Sequence, residues 1–286
     1  MSTVVTGATG QLGRLVVEDL LERGIPASEI VATGRAVERL DDLAARGVTV
    51  RRLDFDDAQT LEGAFAAGDR VLLVSGSAVG QRVPQHQAVI DAAVAADVVQ
   101  LVYTSAPKAD TTPMQLATEH RLTEEAIAAS GLPATVLRNG WYLEGYTDQL
   151  PTYLEHGVVG SAGDGRISGA TRADLAEAAA VVLAAPIADH VGRTYELGGD
   201  EAFTLAELAD AVSAATGRKV AYAEVPAEQH LAILTAAGLP EPFPAILVDV
   251  DQATRAGALE VQGSDLSTLL GRPTTTLAEA LAAAAS

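Results

Sequence analysis

The chain has 286 residues, 48% hydrophobic but only 4% aromatic, so its core must be built mostly from Ala, Val and Leu. Its 19 basic and 38 acidic residues leave a formal charge of −19, which argues against a nucleic-acid backbone or an anionic membrane as partner. The absence of cysteine excludes disulfides, thiolate metal sites, iron–sulfur clusters and cysteine nucleophiles. His86, His120, His156, His190 and His230 show no metal-ligand spacing, so no metal is expected. No apolar run is long enough to span a bilayer, and a strand starting near Thr3 leaves no room for a secretion signal. A soluble, cytoplasmic protein is expected.

From residue 3 to about 140, short apolar runs alternate with helical patterns. "TVVT" (3–6), "EIVATG" (29–34), "VTVRRLDF" (48–55), "RVLLVS" (70–75), "VQLVYTS" (99–105) and "PATVLRNG" (133–140) read as strands. "LGRLVVEDLLERG" carries a helical stripe of Leu12, Leu15, Val16 and Leu20 and stops at Gly24 and Pro26. "AVERLDDLAARG", "AQTLEGAFAAG", "PQHQAVIDAAVAADV" and "LATEHRLTEEAIAASG" supply further helices. Such alternation predicts an α/β fold, a doubly wound parallel sheet of Rossmann type that binds ligands at the carboxyl ends of its strands.

Beyond about residue 150 the pattern loosens. "TRADLAEAAAVVLAAP" (171–186) and "TLAELADAVSAATG" (204–217) each open with Thr at an N-cap position. "TYELGGD" and "KVAYAEV" read as short strands, and "GLPEPFP" as a Pro-rich turn that no helix crosses. The expected division is a dinucleotide-binding domain over 1–150 and a smaller α/β substrate lobe over 151–286, packed on the first and sharing some sheet strands.

In "VVTGATGQLG" three glycines, Gly7, Gly10 and Gly13, close a strand and open a helix. The spacing alone is weak, but a strand before and a helix after suit a pyrophosphate at a helix N-terminus. An NAD site would place an acid about 20 residues further on, to hold the ribose 2′-hydroxyl. "VATGRAVER" offers Arg35 instead, with Arg39 one turn later. Guanidinium binds a 2′-phosphate that a carboxylate would repel, so NADPH is the expected cofactor. In "LDFDD", Asp54 and Phe55 suit an adenine pocket and equally suit a helix cap. Ser75, Gly76 and Ser77 are small enough to lie under the cofactor.

"TGATGQLG", "IPASEIVA", "SAVGQRVPQH", "YTS", "TEHRLTEEAIAASGLPATVLRNGWY" and "GRPTTTLAEAL" together resemble the NmrA-like, atypical short-chain dehydrogenase/reductases. Within them, the chain is similar to the bacterial type 2 NAD(P)H:quinone oxidoreductases and, close by, the triphenylmethane dye reductases. The resemblance runs over nearly the whole chain. It implies bound NADPH, with Gly7, Ala8, Thr9, Gly10, Gln11 and Leu12 on the pyrophosphate and Arg35 on the 2′-phosphate. Ser75 to Ser77 would lie beside the adenosine half, and Asn139, Gly140, Trp141 and Tyr142 near the nicotinamide. Tyr103 and Thr104, in the "YTS" stretch, are expected on the cofactor side as well. The resemblance also suggests a homodimer.

Most short-chain reductases use a Tyr-x-x-x-Lys pair, which this chain lacks: its only lysines are Lys108 and Lys219, neither four residues after a tyrosine. Alignment on "HRLTEE" puts His120 where the lysine would stand and Leu116 where the tyrosine would stand. Reducing a ketone creates an alkoxide that needs a proton donor. Reducing a quinone creates a phenolate-like anion, far less basic, since phenols titrate near about pH 10. A small quinone-like acceptor is therefore expected, with Asn139 and Tyr142 as hydrogen-bond donors and His120 as either proton donor or structural residue. Two other readings use the same cofactor site: a silent NADP-binding redox sensor and an azo or triphenylmethane dye reductase.

Overall fold

The computed structural model describes residues 1–285. In chain order, β1 (Thr3–Val5), α1 (Gln11–Glu22), β2 (Ile30–Gly34), α2 (Asp41–Ala45), β3 (Thr49–Arg52), α3 (Ala58–Leu61) and β4 (Arg70–Leu73) come first. They are followed by α4 (Arg82–Ala95), β5 (Gln100–Ser105), α5 (Gln115–Ser130) and β6 (Ala134–Asn139). Next are α6 (Glu144–Thr147), α7 (Leu150–His156), β7 (Val158–Gly160), α8 (Arg172–Ala184), α9 (Ile187–His190) and β8 (Thr194–Leu197). The chain closes with α10 (Leu205–Thr216), β9 (Tyr222–Glu224), α11 (Ala227–Ala236), α12 (Phe243–Arg255), α13 (Asp265–Leu270) and α14 (Leu277–Ala285).

The main sheet has seven strands in the order β3-β2-β1-β4-β5-β6-β8. β1 runs parallel to β2 and β4, β2 to β3, β4 to β5, and β5 to β6. This is the expected doubly wound α/β arrangement. The winding direction reverses between β1 and β4, the switch point whose carboxyl-end crevice binds ligands in such sheets.

The chain forms two compact units. Met1–Ala106, Glu119–Arg138 and Arg172–Tyr195 make one; Pro107–Thr118, Asn139–Thr171 and Glu196–Ser286 make the other. In the first, Val4, Val71, Leu73, Leu101 and Tyr103 alternate along their strands and pack with Leu61, Val89, Ile90 and Ile127. The residues between them, Val5, Leu72 and Val102, are buried on the opposite side, and α1 packs along α8. A strand buried on both faces explains why these runs are apolar throughout rather than alternating.

In the second unit β7 and β9 pair in parallel, α10 packs on α14, and α11 on α12. Thr204 and Glu207 form the capping box of α10, as its opening Thr predicts. Asp251 Oδ2 accepts the Ser161 N–H at 2.6 Å and lies 3.2 Å from His230 Nδ1, tying α11 and α12 to the end of β7.

Some sequence expectations fail locally. The strand expected over 48–55 stops at Arg52, because Asp54 and Thr60 close a turn in which the Asp54 N–H donates to Thr60 Oγ1 at 2.9 Å. The strand expected over 70–75 stops at Leu73; beyond it, hydroxyls replace the ladder, Thr6 Oγ1 accepting from the Val74 N–H and Thr104 Oγ1 from the Ser75 N–H. "AQTLEGAFAAG" keeps one helical turn, α3. The "GLPEPFP" turn is cut short because α12 starts inside it at Phe243. Pro244 lies in the first turn of α12, where no intrahelical N–H is needed.

Candidate active site

In the first unit β1 ends at Val5 and the chain turns through Gly7 at φ +63°, a conformation glycine adopts without strain. A Cβ on residue 13 would fall 2.6 Å from the Gly7 carbonyl oxygen, so α1 meets the turn only because Gly13 has none. Gly10 is the N-cap of α1, with no side-chain cap and no acid in the first turn. The Ala8 N–H is taken by Thr33 O at 2.8 Å and the Gly10 N–H by Gly7 O at 2.9 Å. The N–H groups of Thr9, Gln11 and Leu12 have no acceptor among the described residues. These donors, at the positive end of the α1 dipole, suit an anion.

Arg35 directly follows β2, is exposed, and has no carboxylate partner among the described residues. Arg14 differs: its guanidinium is committed to Asp42 and, at 3.0 Å, to Glu18. Asp54 and Phe55 lie in the turn after β3. Asp54 accepts the Asp56 N–H at 3.3 Å and stands 3.6 Å from Arg52, while half-buried Phe55 meets His86 edge-on at 6.4 Å.

Beyond β4, the Ser75–Ser77 segment is held by side chains from neighbouring elements. Thr104 is buried and accepts the Ser75 N–H at 2.9 Å. The Gly76 N–H donates to His86 Nε2 at 3.0 Å, and the Gly76 carbonyl accepts from Arg82 Nε at 2.6 Å. Tyr103 and Thr104, expected on the cofactor side, both have their hydroxyls engaged inside the protein. Tyr103 is fully buried, with its hydroxyl 2.8 Å from His120 Nδ1. Thr104 uses its hydroxyl to support Ser75.

His120 stands on α5 and is 8% exposed. Burial first, then the nearby Arg82 charge, push its pKa down to about 3. The same causes in the same order bring His86 down to about 4. Both imidazoles are neutral at physiological pH, so His120 holds no imidazolium proton to give. Arg138 and Glu124 form a buried ion pair at 2.6 Å, and Ser105 donates to the same carboxylate at 2.5 Å. The sequence reading missed His86, Arg82 and this pair. Only the unusual "VGQRVPQH" string hinted at the first two.

β6 ends at Asn139, the first residue of the next stretch of the second unit, whose side chain is buried and has, among the described residues, no partner for either its carboxamide nitrogen or its oxygen. The following segment is pinned. The Gly140 N–H donates to Leu197 O at 2.8 Å, Trp141 O accepts the Ala170 N–H at 2.9 Å, and the Leu143 N–H donates to Ala170 O at 3.0 Å. Trp141 and Tyr142 are half-buried. A buried, unpaired amide on a fixed backbone is unusual unless a ligand satisfies it. Within the first unit, the free turn donors and the exposed Arg35 guanidinium fit the phosphates of a phosphorylated dinucleotide. Among the described residues no group of His, Asp or Glu could hold a metal, and no helix is long and apolar enough to cross a membrane.

Comparison with known proteins agrees. The NAD(P)H-binding family matches residues 7–186. The chain is 47% identical over 278 residues to quinone oxidoreductase 2 of Escherichia coli, covering 97% of this chain and 96% of that protein. The crystal structure of the E. coli NADPH-dependent quinone oxidoreductase complexed with NADPH superposes with TM-score 0.94 at 46% identity, covering 99% of each chain. The Citrobacter triphenylmethane reductase complexed with NADP(H) superposes with TM-score 0.93 at 37% identity, covering 99% of this chain and 100% of that one. This chain belongs to the NAD(P)H-binding family, as a homologue of E. coli quinone oxidoreductase 2 over nearly its full length.

Proposed function

We propose that this protein is an NADPH-dependent oxidoreductase that reduces quinones by direct hydride transfer. The observation that carries this reading is His120. Where most short-chain reductases have a catalytic lysine, the chain has a buried, neutral imidazole engaged with Tyr103. Such a site supplies no strong acid, which suits an acceptor whose reduced form is a weakly basic phenolate. The extensive identity to the E. coli enzyme supports the same reaction.

The turn donors of Thr9, Gln11 and Leu12 bind the pyrophosphate, and Arg35 pairs with the 2′-phosphate. Asp54 and Phe55 flank the adenine, and Ser75–Ser77 lie along the adenosine half. Asn139, with Gly140 to Tyr142, faces the nicotinamide and the acceptor. When bound, the reduced nicotinamide supplies the hydride. The Asn139 amide and the Tyr142 hydroxyl then donate hydrogen bonds to the acceptor oxygen as charge develops on it. Water provides the proton, because a phenolate-like anion leaves without one from the protein.

We further place the enzyme in the cytoplasm as a homodimer, which light scattering tests directly. The test of function is NADPH oxidation with benzoquinone or menadione, background subtracted, repeated with NADH. Saturable turnover preferring NADPH supports the reading. Tight NADPH binding without turnover on any quinone overturns it.

The likeness to the Citrobacter enzyme favours one second reading, triphenylmethane dyes as acceptors. A dye turned over with higher kcat/KM than any quinone would establish it.

A further inference from the structure

α4 opens with Arg82, and His86 follows one helical turn later on the same face. Both reach back to one residue. Arg82 Nε donates to the Gly76 carbonyl at 2.6 Å, and His86 Nε2 accepts the Gly76 N–H at 3.0 Å. The main chain of Gly76 is therefore held by its acceptor and its donor together.

The hydrogen-bond order fixes the imidazole tautomer. Thr123 donates its hydroxyl proton to Glu119 O at 2.8 Å, so at 3.0 Å from His86 Nδ1 its oxygen accepts and Nδ1 carries the hydrogen. Nε2 is left as the acceptor that Gly76 requires. Burial and the Arg82 charge keep the ring unprotonated, so the arginine also preserves the lone pair its neighbour uses. The far end of the loop is tied to α5. The Glu119 carboxylate accepts the Gly80 N–H at 3.1 Å and the Arg82 N–H at 3.2 Å, and pairs with Arg82 Nη1 at 3.6 Å.

We propose that Arg82 and His86 are positioning residues for the cofactor, clamping Gly76 from both sides so that Ser75–Ser77 are presented to the adenosine half of NADPH. The clamp rests on the placement of Ser75–Ser77 given under Proposed function. It sets the loop before ligand arrives, so its loss falls on binding rather than on hydride transfer.

The test uses the full chain. Hydrogen exchange at the Ser75–Ser77 amides, with and without NADPH, checks the placement. His86→Leu, His86→Gln and Arg82→Gln then check the clamp. In His86→Leu the KM for NADPH is expected to rise about tenfold, the scale of one lost buried hydrogen bond, with the loss in KM rather than kcat. His86→Gln, whose side-chain oxygen can accept the Gly76 N–H, restores most of it. Arg82→Gln gives the same KM effect and serves if His86→Leu does not fold. Amides unprotected by NADPH overturn the placement and the clamp with it. Protected amides with unchanged KM overturn the clamp alone, as does a kcat loss that Gln fails to rescue.

Discussion

Tyr103 and His120 meet at 2.8 Å, hydroxyl to Nδ1, with Tyr103 fully buried and His120 nearly so. The pair joins β5 to α5. Burial raises the Tyr103 phenol well above its ordinary pKa and lowers the imidazole to about 3. Burial thus makes the phenol a weaker acid than usual and leaves the imidazole without an imidazolium proton at neutral pH. Removing the imidazole should therefore damage the fold more than the chemistry. His120→Ala is expected to lose about 1–3 kcal/mol of stability, from an orphaned hydroxyl and a small cavity, and to keep quinone turnover within about tenfold. Thermal unfolding and steady-state kinetics check both halves. A thousandfold drop in kcat with an unchanged Tm would make His120 the proton donor after all.

The proposed role of Arg35 on the 2′-phosphate makes it the residue that sets cofactor choice. The residue is exposed just after β2 and has no carboxylate partner among the described residues, so its replacement breaks no ion pair among them. Arg35→Ala should weaken NADPH binding by about tenfold to a hundredfold, the range for a charge-assisted pair, and leave NADH almost untouched. Isothermal titration with each cofactor measures the difference. Equal losses would remove the 2′-phosphate from Arg35.

Acid sensitivity follows from three groups of the first unit. His86 and His120 have native pKa values of about 4 and about 3, below the unfolded value of about 6.5. As pH falls from about 6.5, the unfolded chain binds these protons first and stability drops. Asp19 opposes this. Burial, then the Glu177 charge, raise it to about 6, so the native chain binds its proton first and stability is gained over the same window. Asp19→Asn removes that gain. Its stability should fall more steeply than the parent's around about pH 5, by close to one proton. Urea titrations at stepped pH compare the slopes, and parallel slopes would contradict the assignment.

Much of this architecture was legible in the sequence because its signals are local. The turn through Gly7, Gly10 and Gly13, the six apolar runs up to residue 140 and the missing acid before Arg35 each lie within a few residues of what they specify. The failures have long-range causes. β4 ends early because the hydroxyls of Thr6 and Thr104 take over the amides of Val74 and Ser75, partners that no window around residue 74 contains. β7 pairs with β9, Val158 opposite Tyr222, across a long intervening stretch that includes α8 and α10. Nothing in "VYTS" reveals that the Tyr103 hydroxyl ends on α5. His86 was visible only as a letter in an unusual string.

Asn139 gives the sharpest separation of stability from activity. Its carboxamide is buried and neither polar atom has a partner among the described residues, a state that costs about 1–3 kcal/mol relative to a satisfied group. A fold does not keep such a cost without a use, and a bound ligand would repay it. Asn139→Leu keeps the volume and removes the unsatisfied atoms. The ligand-free variant should therefore match or exceed the parent in Tm. Its quinone turnover should fall by about tenfold to a thousandfold, the scale of losing one donor at a developing charge. NADPH should also raise its Tm less than it raises the parent's. If Asn139→Leu is less stable than the parent and just as active, the amide is structural and the acceptor oxygen must find its donor elsewhere.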